Sequence, residues 1–208
     1  MKSLSAITLA AGLMFSLGAA AGPVTVTFEG LANNTAVGNY YNGGAGTNYG
    51  ISFGAGATAL VASVAGTVAG QPAPGDTVMT WTPGGSTTAT LAAGWTGSFS
   101  FYYAGVADLT VSLLDAAGTT IVGSGLLPGV GNSGCTGNVV LCNWNQYTID
   151  FAGTATAVSF TGLAGDIAVD NLTFGSTGGG GNVPEPGSLA LAGLALGLLG
   201  AVARRKSV

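Results

Sequence analysis

Positive charge is almost missing from this chain. It has no histidine, and no lysine or arginine lies between Ser3 and Ala203; the four basic residues are Lys2, Arg204, Arg205 and Lys206. A body without cations cannot neutralise phosphates, which excludes nucleic acid as a partner. Nor can it form internal salt bridges. Its acids, Glu29, Asp76, Asp108, Asp115, Asp150, Asp166 and Asp170, must therefore be solvated, accept backbone hydrogen bonds or hold metal ions.

The missing bases also exclude familiar catalytic arrangements. Gly50-Ile51-Ser52-Phe53-Gly54 spells a nucleophile elbow, but that motif needs a base beside the serine, and the body has neither histidine nor lysine. The segment reads as a glycine-rich strand. Gly129-Val130-Gly131-Asn132-Ser133-Gly134 spells a dinucleotide fingerprint without the helix that should follow it. It reads as a loop leading to Cys135. Paired carboxylates hydrolyse glycosides, yet no acidic pair here has a distinctive context, so a glycan hydrolase ranks last among the readings. The expectation is a protein that is not an enzyme and requires no cofactor.

Charged residues are only 6% of the chain, against about a quarter in ordinary proteins. Disorder needs high charge and low hydrophobicity, whereas here the mean hydropathy is positive at +0.55. The body is expected to fold.

What is present begins with the two ends. Lys2, an apolar run from Leu4 to Leu17 and the small residues Gly18-Ala19-Ala20-Ala21 are the three parts of a secretory signal peptide. Cleavage by signal peptidase is expected after Ala21; the alternative is a retained membrane helix. Near the other end, Gly178-Gly179-Gly180-Gly181 makes a flexible linker. Val183-Pro184-Glu185-Pro186 follows, then an apolar run from Leu189 to Ala203, then Arg204-Arg205-Lys206. About 16 residues give roughly 24 Å of helix against a hydrocarbon core of about 30 Å, a short span that snorkelling arginines and bilayer thinning accommodate. The basic cluster stays cytoplasmic and acts as the membrane stop, leaving the body outside. Gly193 and Gly197 match a small-residue helix-packing pattern, mostly by chance in so glycine-rich a helix.

Val-Pro-Glu-Pro, a short apolar helix and an arginine-rich end, in that order, resemble the PEP-CTERM sorting tail. The resemblance implies recognition by exosortase, a membrane transpeptidase, and cleavage near Pro184-Glu185-Pro186. It also implies a Gram-negative host that makes exopolysaccharide, with the mature protein at the cell surface or in the biofilm matrix. A plain tail anchor is the alternative.

Between the ends, short segments alternate apolar and polar residues: Val24 to Phe28, Thr77 to Thr82, Thr87 to Leu91, Ser98 to Tyr103, Leu109 to Leu114, Gln146 to Phe151, Ala155 to Phe160 and Ile167 to Phe174. Glycine-rich turns such as Pro83-Gly84-Gly85 separate them, and no stretch supports a long amphipathic helix. The pattern predicts an all-β fold, a single antiparallel β-sandwich of jelly-roll type. The expected organisation is a signal peptide at 1–21, a β-sandwich domain at 22–175, a linker at 176–182 and the sorting tail at 183–208.

Cys135 and Cys142, an even count in an exported chain, suggest one disulfide, with two free thiols as the alternative. Trp81, Trp95 and Trp144 can stack on sugar rings, although aromatics in such a domain are more often core. Tyr40 and Tyr41 cannot both face one side of a strand, so at least one is exposed or in a loop. Asn33-Asn34-Thr35 and Asn171-Leu172-Thr173 match glycosylation sequons that carry little information in a bacterial protein.

The body also resembles those found in front of PEP-CTERM tails, through Thr27-Phe28-Glu29-Gly30-Leu31, Gly97-Ser98-Phe99-Ser100-Phe101-Tyr102-Tyr103, Phe151-Ala152-Gly153-Thr154-Ala155 and Val169-Asp170-Asn171-Leu172-Thr173-Phe174-Gly175. In a jelly roll the first and last strands can be neighbours, which would bring together Glu29, after the first, and Asp170, in the last. Likeness to carbohydrate-binding-like jelly rolls then implies a structural calcium ion held by these two acids, with oxygens such as that of Asn171 completing the shell; the alternative is two solvated edge acids, with Glu29 capping a turn. The main functional expectation is a non-catalytic surface or matrix protein. The alternative is a carbohydrate-binding module with an extracellular polysaccharide as partner.

Overall fold

Apolar residues alternate with threonine and serine through much of the body, and the backbone follows that pattern into strands. The computed structural model describes residues 22–82 and 85–177. The elements are β1 (Val24–Val26), β2 (Ile51–Phe53), β3 (Ala57–Val61), a one-turn α1 (Ala62–Ala65), β4 (Thr77–Trp81), β5 (Ser86–Gly105), β6 (Leu109–Leu114), β7 (Thr120–Leu127), β8 (Asn145–Gly162) and β9 (Ile167–Thr177). The expected signal peptide, most of the linker and the whole sorting tail lie outside the described residues. Among the described residues no helix is long and apolar enough to cross a membrane.

The antiparallel all-β expectation holds. The strands hydrogen-bond as one curled sheet in the order β3-β4-β9-β5-β8-β6-β7, with β1 on β9 and β2 on β5. Two long strands make the curl. β5 runs 20 residues and β8 18 residues, each spanning what the sequence pattern divides into two segments. Their ladder shifts register between Thr90 and Trp95, a bulge that bends the strands and lets one pair serve both sides of the core. Gly94 sits in that bend at φ 74 and is buried. A Cβ there would stand 2.5 Å from Thr154 Cγ2 and 3.0 Å from the Ala155 carbonyl oxygen, so only glycine fits.

Alternation fixes which side chains face inward. In β6, Leu109, Val111 and Leu113 are buried while Thr110, Ser112 and Leu114 are half-buried. The same alternation along β5, β8 and β9 delivers Phe99, Phe101, Phe160, Leu172 and Phe174 to a common core with Trp81 and Trp95. The rings meet edge to face: Trp95 and Phe174 at 4.9 Å and 86°, Phe101 and Phe160 at 5.7 Å and 87°. This geometry adds about 0.5–1.5 kcal/mol per pair beyond burial.

A smaller cluster of Ala62, Val68, Val78, Ala104, Leu141 and Ala168, with Leu60 and Trp144 against it, covers the outer side of β4 and β9. The Cys135–Cys142 disulfide lies at its edge, with Cα atoms 5.7 Å apart. Val140 and Leu141 donate backbone N–H groups to the Thr67 carbonyl at 2.9 and 3.1 Å. Trp144 Nε1 donates to the Ala69 carbonyl at 3.0 Å. The disulfide loop is thus tied to the 62–69 segment at several points.

Candidate functional site

Two places in the described residues gather polar chemistry, and they share Glu29. The first lies where β1 meets β9. Val24 pairs with Phe174 and Val26 with Leu172, so the first and last strands are neighbours. Phe28 then turns out of the strand at φ 61, which swings Glu29 toward the segment preceding β4. The Glu29 carboxylate accepts hydrogen bonds from the Thr77 backbone N–H at 2.9 Å and the Thr77 hydroxyl at 3.4 Å.

Asp170 is fully buried. Its Oδ1 accepts the Asn171 N–H at 2.7 Å, while Oδ2 is buried with no hydrogen-bond partner. Burial pushes its carboxyl up to about 8; the Asn171 N–H pulls it down, and the charge of Glu29 raises it further. No lysine, arginine or histidine lies between Ser3 and Ala203 to offset either acid.

Residues 71–76 cross this junction as a strap. Asn171, at φ 50, donates Nδ2 to the Ala73 carbonyl at 2.9 Å. Gln71 Nε2 reaches the Gly75 carbonyl at 3.4 Å. Turned this way, the Asn171 Oδ1 and Gln71 Oε1 atoms are buried without partners, like Asp170 Oδ2. Unsatisfied buried oxygens each cost about 1–3 kcal/mol. Asp170 Oδ2 and Asn171 Oδ1, on adjacent residues and without donors, are oxygens of the kind a hard cation takes, six to eight at a time. Among the described residues no three acidic side chains gather at one place, so amide and carbonyl oxygens have to complete any such shell. The signal for this was the polar, proline- and glycine-rich run Gln71-Pro72-Ala73-Pro74-Gly75-Asp76, which sequence reading passed over.

The second place is a pocket of about 370 Å³ under the loop joining β1 and β2, lined by Thr25, Thr27, Glu29, Tyr40, Tyr41 and Tyr49 among others. Tyr41 and Tyr49 lie parallel at 6.1 Å and 17°, and Tyr40 meets Tyr41 edge-on at 4.9 Å and 82°. Both Tyr40 and Tyr41 are in the loop, with Tyr41 buried and Tyr40 half-buried.

Other acids have structural tasks. Asp115 accepts the Ala117 and Thr119 N–H groups at 2.9 and 2.8 Å across a turn. Asp108 accepts the Gly129 N–H at 3.1 Å, and Asp76 accepts the Ser63 hydroxyl. Of the tryptophans, Trp81 and Trp95 are core and Trp144 is half-buried in the smaller cluster, so they form no exposed platform. Both sequon asparagines are occupied, Asn33 by the Val61 N–H at 2.9 Å and Asn171 by Ala73. Val183 to Pro186 and Arg204 to Lys206 lie outside the described residues.

Fold and composition define an all-β domain without cationic side chains, followed in the sequence by four glycines, 178–181. Residues 182–206 match the PEP-CTERM protein-sorting motif. The chain carries that motif in its C-terminal region, which marks an exported protein handed to exosortase. No curated protein sequence matches the chain. Among solved structures, the K2 cleaved adhesin domain of Lys-gingipain is 15% identical, covering 73% of this chain and 97% of that one at a TM-score of 0.45. A variant of the module CBM29-2 complexed with mannohexaose is 13% identical, covering 76% and 93% at a TM-score of 0.43. A family 29 carbohydrate-binding module is 13% identical, covering 74% and 88% at 0.43. At such values the likeness says nothing of activity.

Proposed function

We propose that this chain is a non-catalytic component of the cell surface or extracellular matrix. It is exported by its signal peptide, held briefly in the inner membrane by its C-terminal apolar segment, and released by exosortase near Val183-Pro184-Glu185-Pro186. The observation that carries this reading is the sorting motif at 182–206. The lack of any histidine, and of lysine or arginine between Ser3 and Ala203, supports a role without catalysis. A jelly-roll arrangement of the body, with its curled sheet folded over one aromatic core, belongs to the same reading. Replacing Pro184, Glu185 and Pro186 by alanine tests it by cell fractionation. The variant should remain with the membrane while the unchanged protein reaches the surface; equal distribution of the two would overturn the reading.

Structural calcium is part of the proposal. Glu29 and Asp170 would hold it, with Asn171 Oδ1, Gln71 Oε1 and strap carbonyls as further oxygens. The ion would neutralise two carboxylates that have no cationic side chain to pair with and would satisfy the orphaned buried oxygens.

The second reading, a carbohydrate-binding module, is favoured by the tyrosine- and threonine-lined pocket beside Glu29. A mostly polar wall of threonines, Glu29 and tyrosine edges suits the hydroxyls of a sugar. A polysaccharide of the matrix would be the partner.

A further inference from the structure

The Tyr41 hydroxyl is buried, on a side chain 5% exposed, and has no hydrogen-bond partner. Burial pushes its ionisation far up, Tyr40 adds to the rise, and the Phe28 backbone pulls the other way without reaching hydrogen-bond geometry. The group is therefore a neutral hydroxyl, able to donate and to accept. Its ring is fixed on the core side by Phe28 and Phe53 at 6.3 Å each. On the pocket side Tyr49 stacks parallel to it, and Glu29, Thr25 and Thr27 supply acceptors and hydroxyls.

The loop is built to keep this opening in shape. The Tyr40 ring is clasped by glycines: a Cβ at Gly46 would stand 2.3 Å from Tyr40 Cε1, and one at Gly30 2.5 Å from its hydroxyl. The Tyr41 carbonyl accepts N–H groups from Tyr49 at 2.9 Å and Ile51 at 3.2 Å, closing the loop onto β2. A volume of about 370 Å³ falls at the lower end of the ~300–1,000 Å³ range of small-molecule sites. That is room for one sugar residue and little more.

We propose that this pocket is a binding site for a single neutral monosaccharide unit, free or at the end of a glycan chain. The inference rests on the carbohydrate-binding reading above. With no calcium on Glu29, anionic ligands are disfavoured, because that carboxylate is on the wall and no lysine, arginine or histidine lies between Ser3 and Ala203. A quaternary ammonium suits tyrosine faces and a carboxylate, but its methyl groups offer neither donor nor acceptor to the threonine hydroxyls. A neutral sugar suits the groups that face the opening. One apolar ring face lies on tyrosine, its hydroxyls donate to Glu29, and others exchange hydrogen bonds with Thr25 and Thr27.

The test uses the protein recovered from the surface of producing cells. It is titrated with glucose, galactose, mannose and xylose, with galacturonate and choline as charged controls, and followed by amide chemical shifts. At least one neutral sugar should shift residues 25–29 and 40–49. Tyr49→Ala removes a stacking face, and Ala45→Trp blocks the pocket from an exposed loop position that leaves the core alone. Each should weaken binding at least tenfold with the melting midpoint of Ala45→Trp unchanged. A response to choline or galacturonate alone would overturn the proposal. So would sugar binding that Ala45→Trp leaves intact, which would move the site elsewhere and keep the carbohydrate-binding reading. No response to any sugar would remove both.

Discussion

Gly75 lies so close to Glu29 that a Cβ on it would stand 2.0 Å from the Glu29 carboxyl carbon and 2.2–2.3 Å from its two oxygens. Gly75 also holds φ 82, a conformation that L side chains rarely adopt. The strap before β4 thus packs its backbone directly onto the acid that follows β1, and only glycine permits it. The Glu29–strap contact is what the proposed cation would lock. Calorimetric melting of the wild type should give a midpoint in excess calcium about 5–10 °C above that in chelator, the rise expected when the ligand stands near 100-fold over its dissociation constant. Asp170→Ala and Gly75→Ala should both lose that calcium response. A wild-type midpoint indifferent to calcium and chelator would show that no such site contributes to stability.

The two core tryptophans predict an unequal pair of variants. Trp81 Nε1 donates to the Gly162 carbonyl at 3.2 Å, whereas Trp95 Nε1 is buried without a partner. Trp81→Phe loses a hydrogen bond and leaves a carbonyl behind; Trp95→Phe removes an unsatisfied donor. Urea unfolding should place Trp81→Phe about 1 kcal/mol below Trp95→Phe in stability. The reverse order would contradict the assignment of these two indoles.

The disulfide closes a loop of only 7 residues' separation, for which chain entropy gives about 2–3 kcal/mol. The loop is independently tied by the Thr67 carbonyl and by Trp144. Replacing Cys135 and Cys142 together by serine should therefore cost on the order of 2 kcal/mol and leave the fold standing. In the unreduced native protein the sulfurs should resist alkylation; ready labelling there would refute the bond.

Much of this architecture was legible in alternation. β6 spans Leu109–Leu114, the same residues that period two marks out, because its two faces differ in burial along its whole length. Thr87 to Leu91 and Ser98 to Tyr103 read as separate strands, since Ala92-Ala93-Gly94 breaks the pattern between them. The chain instead passes through that break as a bulge. β7, Thr120–Leu127, was missed because its glycines at 123 and 125 erase the alternation. β3, Ala57–Val61, was missed because its inward residues are alanines with little hydrophobic contrast.

The pairing of the first strand with the last, β1 with β9, was legible, and it puts Glu29 and Asp170 in one region of the fold. The strap residues Gln71 and Gly75 were not, because their roles come from a backbone that folds back over Glu29 after an intervening stretch of some forty residues. Of the pocket tyrosines, the sequence required only that Tyr40 or Tyr41 be exposed or in a loop; tertiary packing on Phe28 and Phe53 is what leaves Tyr41 buried and its hydroxyl unpartnered.

The central claim is that this domain reaches the surface as a trimmed, sorted protein, and intact-mass analysis of the native surface protein tests it most directly. The account predicts a new N-terminus at or near Gly22, after Ala19-Ala20-Ala21, and loss of Leu189 to Val208 behind the Val183-Pro184-Glu185-Pro186 motif. A mature surface protein that still carries the full apolar segment and Arg204-Arg205-Lys206 would contradict exosortase release and leave a plain membrane anchor.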